Sequence, residues 1–121
     1  MLPRSLVLID APSSAGAYAP GQEKAPWALR EAGLVTRLDQ AGITVCDGGT
    51  LPVWRWRPDP KDRFAQNRGA VATAVTAVAA CVQTALETGA IALVLGGDCT
   101  VGLGTVAGHL PAYPALWAAL L

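Results

Sequence analysis

The chain has 121 residues, 52% of them apolar and 15% charged, with nine basic side chains against nine acidic ones. That length accommodates one domain with a real core, and the apolar content excludes an intrinsically disordered chain. Zero net charge removes any general attraction to nucleic acid or anionic membrane and protects only weakly against self-association, so a homo-oligomer, or a piece of something larger, is expected.

Residues 5–9 are an apolar run ending in Asp10-Ala11-Pro12, which predicts a buried strand. The run is too short for a signal-peptide core. Ser13 to Gln22 carries Ser, Gly and Pro and reads as a loop. Pro26 suits the first turn of a helix, with Glu23 nearby, where negative charge favours a helix N-terminus. Apolar residues at Trp27, Leu29, Ala32, Leu34, Val35 and Leu38 continue the helical spacing, Gly33 breaks it into two pieces, and Gly42 closes it. Residues 43–46 predict a second strand ending at Asp47-Gly48-Gly49. Pro52, Pro58 and Pro60 mark an irregular connection over residues 50–62.

Val71, Val75, Val78, Val82 and Leu86 then recur at helical spacing, predicting a long helix that Gly89 ends. Residues 69–86 are the best membrane candidate. They are rich in Ala and Thr, contain Gln83 and are flanked by Arg68 and Glu87, so a buried helix of a soluble protein is expected instead. Residues 90–95 predict a third strand and Thr100 to His109 a small-residue helix, and Tyr113 to Leu121 would begin a fourth strand. Strands alternating with helices predict a parallel sheet covered on both faces. The residues after parallel strands gather on one edge of the sheet, which would bring Asp10, Asp47 and Asp98 together as a polar or cationic site.

The stretch richest in chemistry is Gly96-Gly97-Asp98-Cys99 at the end of the third strand. The glycines permit a sharp turn and a close approach. Asp98 and Cys99 then stand at the start of a helix, where a thiol is favoured as thiolate, for use as a metal ligand or nucleophile. The plainer reading makes Cys99 a small buried residue and Asp98 a helix cap. His109 is the only His, ten residues beyond Cys99, and is expected in a helix-ending loop. Cys46, Cys81 and Cys99 form no C-x-x-C pair, which argues against a disulfide framework and for a reducing, cytoplasmic setting. Gly102, Gly104 and Gly108 have a nucleotide-type spacing but follow the strand too distantly, and helix packing explains them equally. Trp54-Arg55-Trp56-Arg57 has the composition of a stacking cluster; isolated in a neutral chain, it reads as a subunit contact or pocket rim.

Taken in order, Ala25-Pro26-Trp27-Ala28-Leu29-Arg30-Glu31-Ala32-Gly33-Leu34, Val45-Cys46-Asp47-Gly48-Gly49 and Val94-Leu95-Gly96-Gly97-Asp98 resemble the N-terminal part of the ureohydrolase family (arginase, agmatinase, formimidoylglutamase). The resemblance implies a three-layer α/β/α fold with a parallel sheet, with residues 1–121 as the N-terminal part of a single arginase-like α/β domain. It implies hydrolysis of a guanidino or amidine C–N bond at a two-manganese site, where a bridging hydroxide attacks the planar carbon. Gly96, Gly97 and Asp98 would form the site edge. Cys99 stands where the family keeps its first His ligand, and its thiolate is softer than imidazole, suiting zinc or iron better than manganese. The family's later Asp-x-His-x-Asp cluster has no counterpart, since no acid or His follows His109. The expectation is therefore a chain that stops before the main metal-binding motif and is inactive alone, with no catalytic residue assigned. The alternatives are a non-catalytic α/β binding or oligomerisation module and a nucleotide-binding domain.

Overall fold

The computed structural model describes residues 5–115. Three parallel strands, β1 (Ser5–Ala11), β2 (Thr44–Thr50) and β3 (Ile91–Gly96), lie in the order β2-β1-β3. Between β1 and β2 run two short helices, α1 (Ala25–Glu31) and α2 (Leu34–Gln40). Gly33 separates them with φ 88°, a left-handed conformation that a side chain would resist. The long helix α3 (Arg68–Glu87) joins β2 to β3, and α4 (Val101–His109) follows β3. Gly89, at φ 77°, makes the turn from α3 toward β3.

Alternation along β1 sets the layers. Ile9 and Ala11 point to one face, where they form the core with Val78, Val82 and Ala85 of α3 and Val101 of α4. Asp10 points to the other face, where Arg30 of α1 meets it. Contacts of α1 with β3 and of α2 with β2 complete that second layer. The sheet is thus covered on both sides, as the pattern predicts. The chain leaves β1 toward one side of the sheet and then crosses back to β3 by the opposite face. That reversal makes the carboxyl ends of β1 and β3 a topological switch point.

α3 and α4 pack closely because α4 offers glycines. A Cβ at Gly104 would lie 2.6 Å from the Val75 carbonyl oxygen, and one at Gly108 2.6 Å from that of Ala79. These two glycines of the nucleotide-type spacing therefore serve a helix–helix contact.

Three expectations need correction. The second strand runs from Thr44 to Thr50 rather than ending at residue 46. Gly48 makes this possible, since a Cβ there would stand 2.9 Å from the Leu8 carbonyl oxygen, and a register shift between Leu8 and Asp10 absorbs the irregularity. The long helix is buried only along a stripe of Ala74, Val78, Val82 and Ala85. By length and composition alone it is long and apolar enough to cross a membrane, with 22% of its apolar window buried. Its predicted stripe is right in part: Val78 and Val82 are buried, while Val71, Val75 and Leu86 are half-buried. His109 is the last residue of α4 rather than part of a loop, with its Nδ1 2.7 Å from the Thr105 carbonyl oxygen. The fourth strand expected from Tyr113 lies mostly outside the described residues; Pro114 and Ala115 are in a turn.

Candidate functional site

The switch point is occupied by two segments, Pro12–Gly16 after β1 and Gly97–Thr100 after β3, and Asp98 joins them. Gly97 rests on the first segment: a Cβ there would overlap the Ser13 carbonyl oxygen and stand 2.7 Å from that of Gln22. The Asp98 amide donates to the Ser13 carbonyl at 2.9 Å. The Asp98 carboxylate is buried and accepts from both sides. Its Oδ2 takes the Ser13 hydroxyl at 3.2 Å and the Gly16 amide at 3.1 Å. Its Oδ1 takes the Thr100 amide at 2.8 Å and the Thr100 hydroxyl. With both oxygens committed, Asp98 is a bracket between two loops. It binds across the fold, which the cap reading does not anticipate.

Gly96 packs against Val101, with a hypothetical Cβ 2.9 Å from its Cγ1, and this fixes the exit of β3 into α4. Cys99 is exposed and free, so the reading as a small buried residue does not hold. His109 lies ten residues further along, about 15 Å away at 1.5 Å per residue, out of reach of a Cys–His pair.

The three edge acids divide into two groups. Asp10 Oδ2 receives Arg30 Nε at 2.8 Å and the Thr50 hydroxyl at 3.2 Å, and Arg30 Nη2 lies 3.4 Å from Asp47 Oδ1. One guanidinium thus gathers Asp10 and Asp47, while Asp98 is engaged by Ser13, Gly16 and Thr100. Sequence spacing gives no signal for Arg30, which lies 20 residues from Asp10 and is brought there only by α1 docking on the sheet.

The Ser-rich loop is more ordered than its composition implies. Ser13 and Ser14 are wholly buried, and Ser14 N donates to the Trp54 carbonyl at 2.8 Å, while Trp54 N donates to that of Pro12 at 3.0 Å. Trp54-Arg55-Trp56 is thereby stitched to the end of β1. Arg55 Nη1 stands 3.1 Å from Oε1 of the buried Glu23. Burial raises the Glu23 carboxyl, but hydrogen bonds from Ser14 and from the Gly21 and Glu23 amides, with the Arg55 charge, outweigh it and hold the group below the ordinary carboxylate range.

Beside the bracket opens a cleft of about 640 Å³, with Tyr18, Trp56, Phe64, Val75, Thr100 and Leu103 among its walls. Trp56 is a pocket-rim residue, as its cluster suggests. Among the described residues no group of three or more His, Cys, Asp or Glu is arranged to hold a metal ion.

Comparison with known proteins gives a consistent result. The model of the arginase family matches residues 4–118. Arginase-1 of Rattus norvegicus is 36% identical over 114 residues, spanning 94% of this chain and 35% of its own length. Mitochondrial arginase-2 of Homo sapiens is 36% identical over 116 residues, spanning 93% and 32%. Among solved structures, arginase from Bacillus cereus superposes with a TM-score of 0.80 at 30% identity over 91% of this chain and 36% of that one. Arginase from Bacillus subtilis superposes with a TM-score of 0.76 at 30% identity, over 90% and 34%. The chain spans about a third of the length of the relatives it matches.

Proposed function

The chain belongs to the arginase family, and from that premise we propose that it carries the first corner of a guanidino C–N hydrolase site. The observation that carries this reading is the Gly96-Gly97-Asp98-Cys99 turn, bracketed through Asp98 to the loop after β1 at the switch point of the sheet. In this reading Asp98 is a positioning residue: it fixes the turn so that the side chain at position 99 projects at the carboxyl edge. Gly96 and Gly97 give that turn its shape. A small guanidino or amidine compound is the substrate class, and a homo-oligomer the working assembly.

The donor set does not fit the family's two-manganese centre. Asp98 has no free oxygen, and two dications need about six ligands to neutralise and orient them. Cys99 is the one candidate left at the turn, and a thiolate matches zinc or iron better than manganese. We therefore assign no catalytic residue and derive no metal-dependent step. The proposal for the 121-residue chain is a hydrolase scaffold without turnover of its own.

Metal analysis after incubation with manganese, paired with a urea-release assay on arginine and agmatine, tests this. The expected result is substoichiometric manganese and no urea above the no-protein control. Stoichiometric manganese with turnover would refute it. A Cys99→His variant gaining manganese affinity would support position 99 as a ligand position even without turnover.

A further inference from the structure

On the other face of the sheet, between β1, β2 and α1, lies a second cleft of about 380 Å³, lined by no residue of the Gly96–Thr100 turn. Asp10 is at its floor, with its side chain 6% exposed. Oδ2 of Asp10 is satisfied by Arg30 and Thr50, yet Oδ1 is buried with no hydrogen-bond partner among the described residues. A buried carboxylate oxygen without a donor is costly, and in a cleft it marks where a donor from outside belongs. The electrostatic balance has the same sense. Asp10, Glu23 and Asp47 face Arg30 and Arg55, which leaves one negative charge uncompensated. The outer wall is apolar: Trp27 and Val53 both line the cleft and are both 64% exposed.

We propose that this cleft binds a primary alkylammonium group, with one N–H donating to Asp10 Oδ1 and the alkyl chain lying along Trp27 and Val53. The charge deficit calls for a monocation, and an exposed indole at the rim attracts one. A divalent metal ion lacks ligands there: of the two buried oxygens without a hydrogen bond, Asp10 Oδ1 and Glu23 Oε1, the second already faces the Arg55 guanidinium. The planar fork of a guanidinium has two parallel donors to place, but the second oxygen of Asp10 already belongs to Arg30; a point donor matches the single free acceptor better. The inference is independent of the proposed hydrolase reading, because it concerns the opposite face of the sheet and its test involves no turnover.

The test is a titration of the ¹⁵N-labelled 121-residue chain with butylammonium chloride at fixed ionic strength, with tetramethylammonium and methylguanidinium as comparison ligands. Saturable shifts confined to the Arg30 side chain, the Trp27 indole and the Thr50 amide are expected, with a dissociation constant in the millimolar range. Asp10→Asn should weaken binding about tenfold or more, the scale of a hydrogen bond to a charged group. Trp27→Leu, at an exposed position that leaves the fold intact, should weaken it about threefold. If Asp10→Asn fails to fold, the Trp27→Leu titration decides. Absence of saturable binding, or Trp27→Leu binding unchanged, would overturn the site. Equal binding of tetramethylammonium would overturn N–H donation to Asp10, and equal binding of methylguanidinium would overturn the ammonium assignment.

Discussion

Replacing Asp98 with alanine removes the acceptor for four donors at once, and the exposure of each donor determines the cost. The Ser13 hydroxyl is wholly buried and cannot turn to water, so it is left with only its acceptor role toward the Ala15 amide. A stranded buried donor of this kind costs about 1–3 kcal/mol. Gly16 is exposed and Thr100 half-buried, so their three donors regain water and lose only the net value of their bonds, about 0.5–1 kcal/mol each. The expected loss for Asp98→Ala is about 4 kcal/mol. Asp98→Asn keeps Oδ1 for Thr100 but turns an NH2 toward both donors of Oδ2: the Ser13 hydroxyl loses its acceptor and the Gly16 amide meets a donor, and the variant should cost about 3 kcal/mol. Urea unfolding followed by far-ultraviolet circular dichroism measures both, and at about 4 °C per kcal/mol the alanine variant should melt about 16 °C lower. A loss below about 0.5 kcal/mol for alanine, or a greater loss for asparagine than for alanine, would refute the bracket.

Glycines of α4 separate by their surroundings: Gly104→Ala and Gly108→Ala drive a Cβ into the α3 backbone and should each destabilise by about 1–3 kcal/mol. Gly102→Ala meets nothing within 4 Å and should stabilise by up to about 1 kcal/mol in the same unfolding assay. Glu23 contributes to acid stability with a definite sign. Its folded pKa lies below the ordinary carboxyl value of 4.5, so its contribution is complete above that pH and is lost as pH falls through the lowered folded value. Glu23→Gln should therefore flatten the stability–pH curve below pH 4.5 relative to the parent, and an unchanged acid limb would contradict the assignment. Arg30→Met leaves Asp10 as an unpaired buried carboxylate and should cost about 3 kcal/mol near neutral pH, read by thermal melting.

The sequence was a good guide wherever local rules act. Val78 and Val82 announce the buried stripe of α3, and Gly33 and Gly89 punctuate where the backbone turns left-handed. The parallel sheet covered on both faces follows from the alternation of elements, and the family resemblance from the motifs around Trp27, Asp47 and Gly96. Strand β2 was read too short because Asp47-Gly48-Gly49 has the composition of a turn, while the close approach of β1 is what holds it in register. At the site, the position of the Gly-Gly-Asp-Cys turn was legible and the use of Asp98 was not. Its partners Ser13 and Gly16 lie 85 and 82 residues away, beyond the reach of any spacing rule. Arg30 escaped notice for the same reason, since a cation 20 residues from Asp10 becomes its partner only after α1 has docked.

That 85-residue separation also governs how the chain reaches its folded state. A contact between Ser13 and Asp98 closes a long loop, and the chain entropy of closure is lost before the contact returns any energy. Pairing β1 with β3 brings the two loops within reach, and α3 lies between these strands in the chain. The turn that presents Cys99 therefore depends on this long closure, and a short peptide around Gly96–Thr100 keeps only the Asp98–Thr100 bonds. Amide exchange at Gly16 and Thr100 would report the opening of this bracket directly.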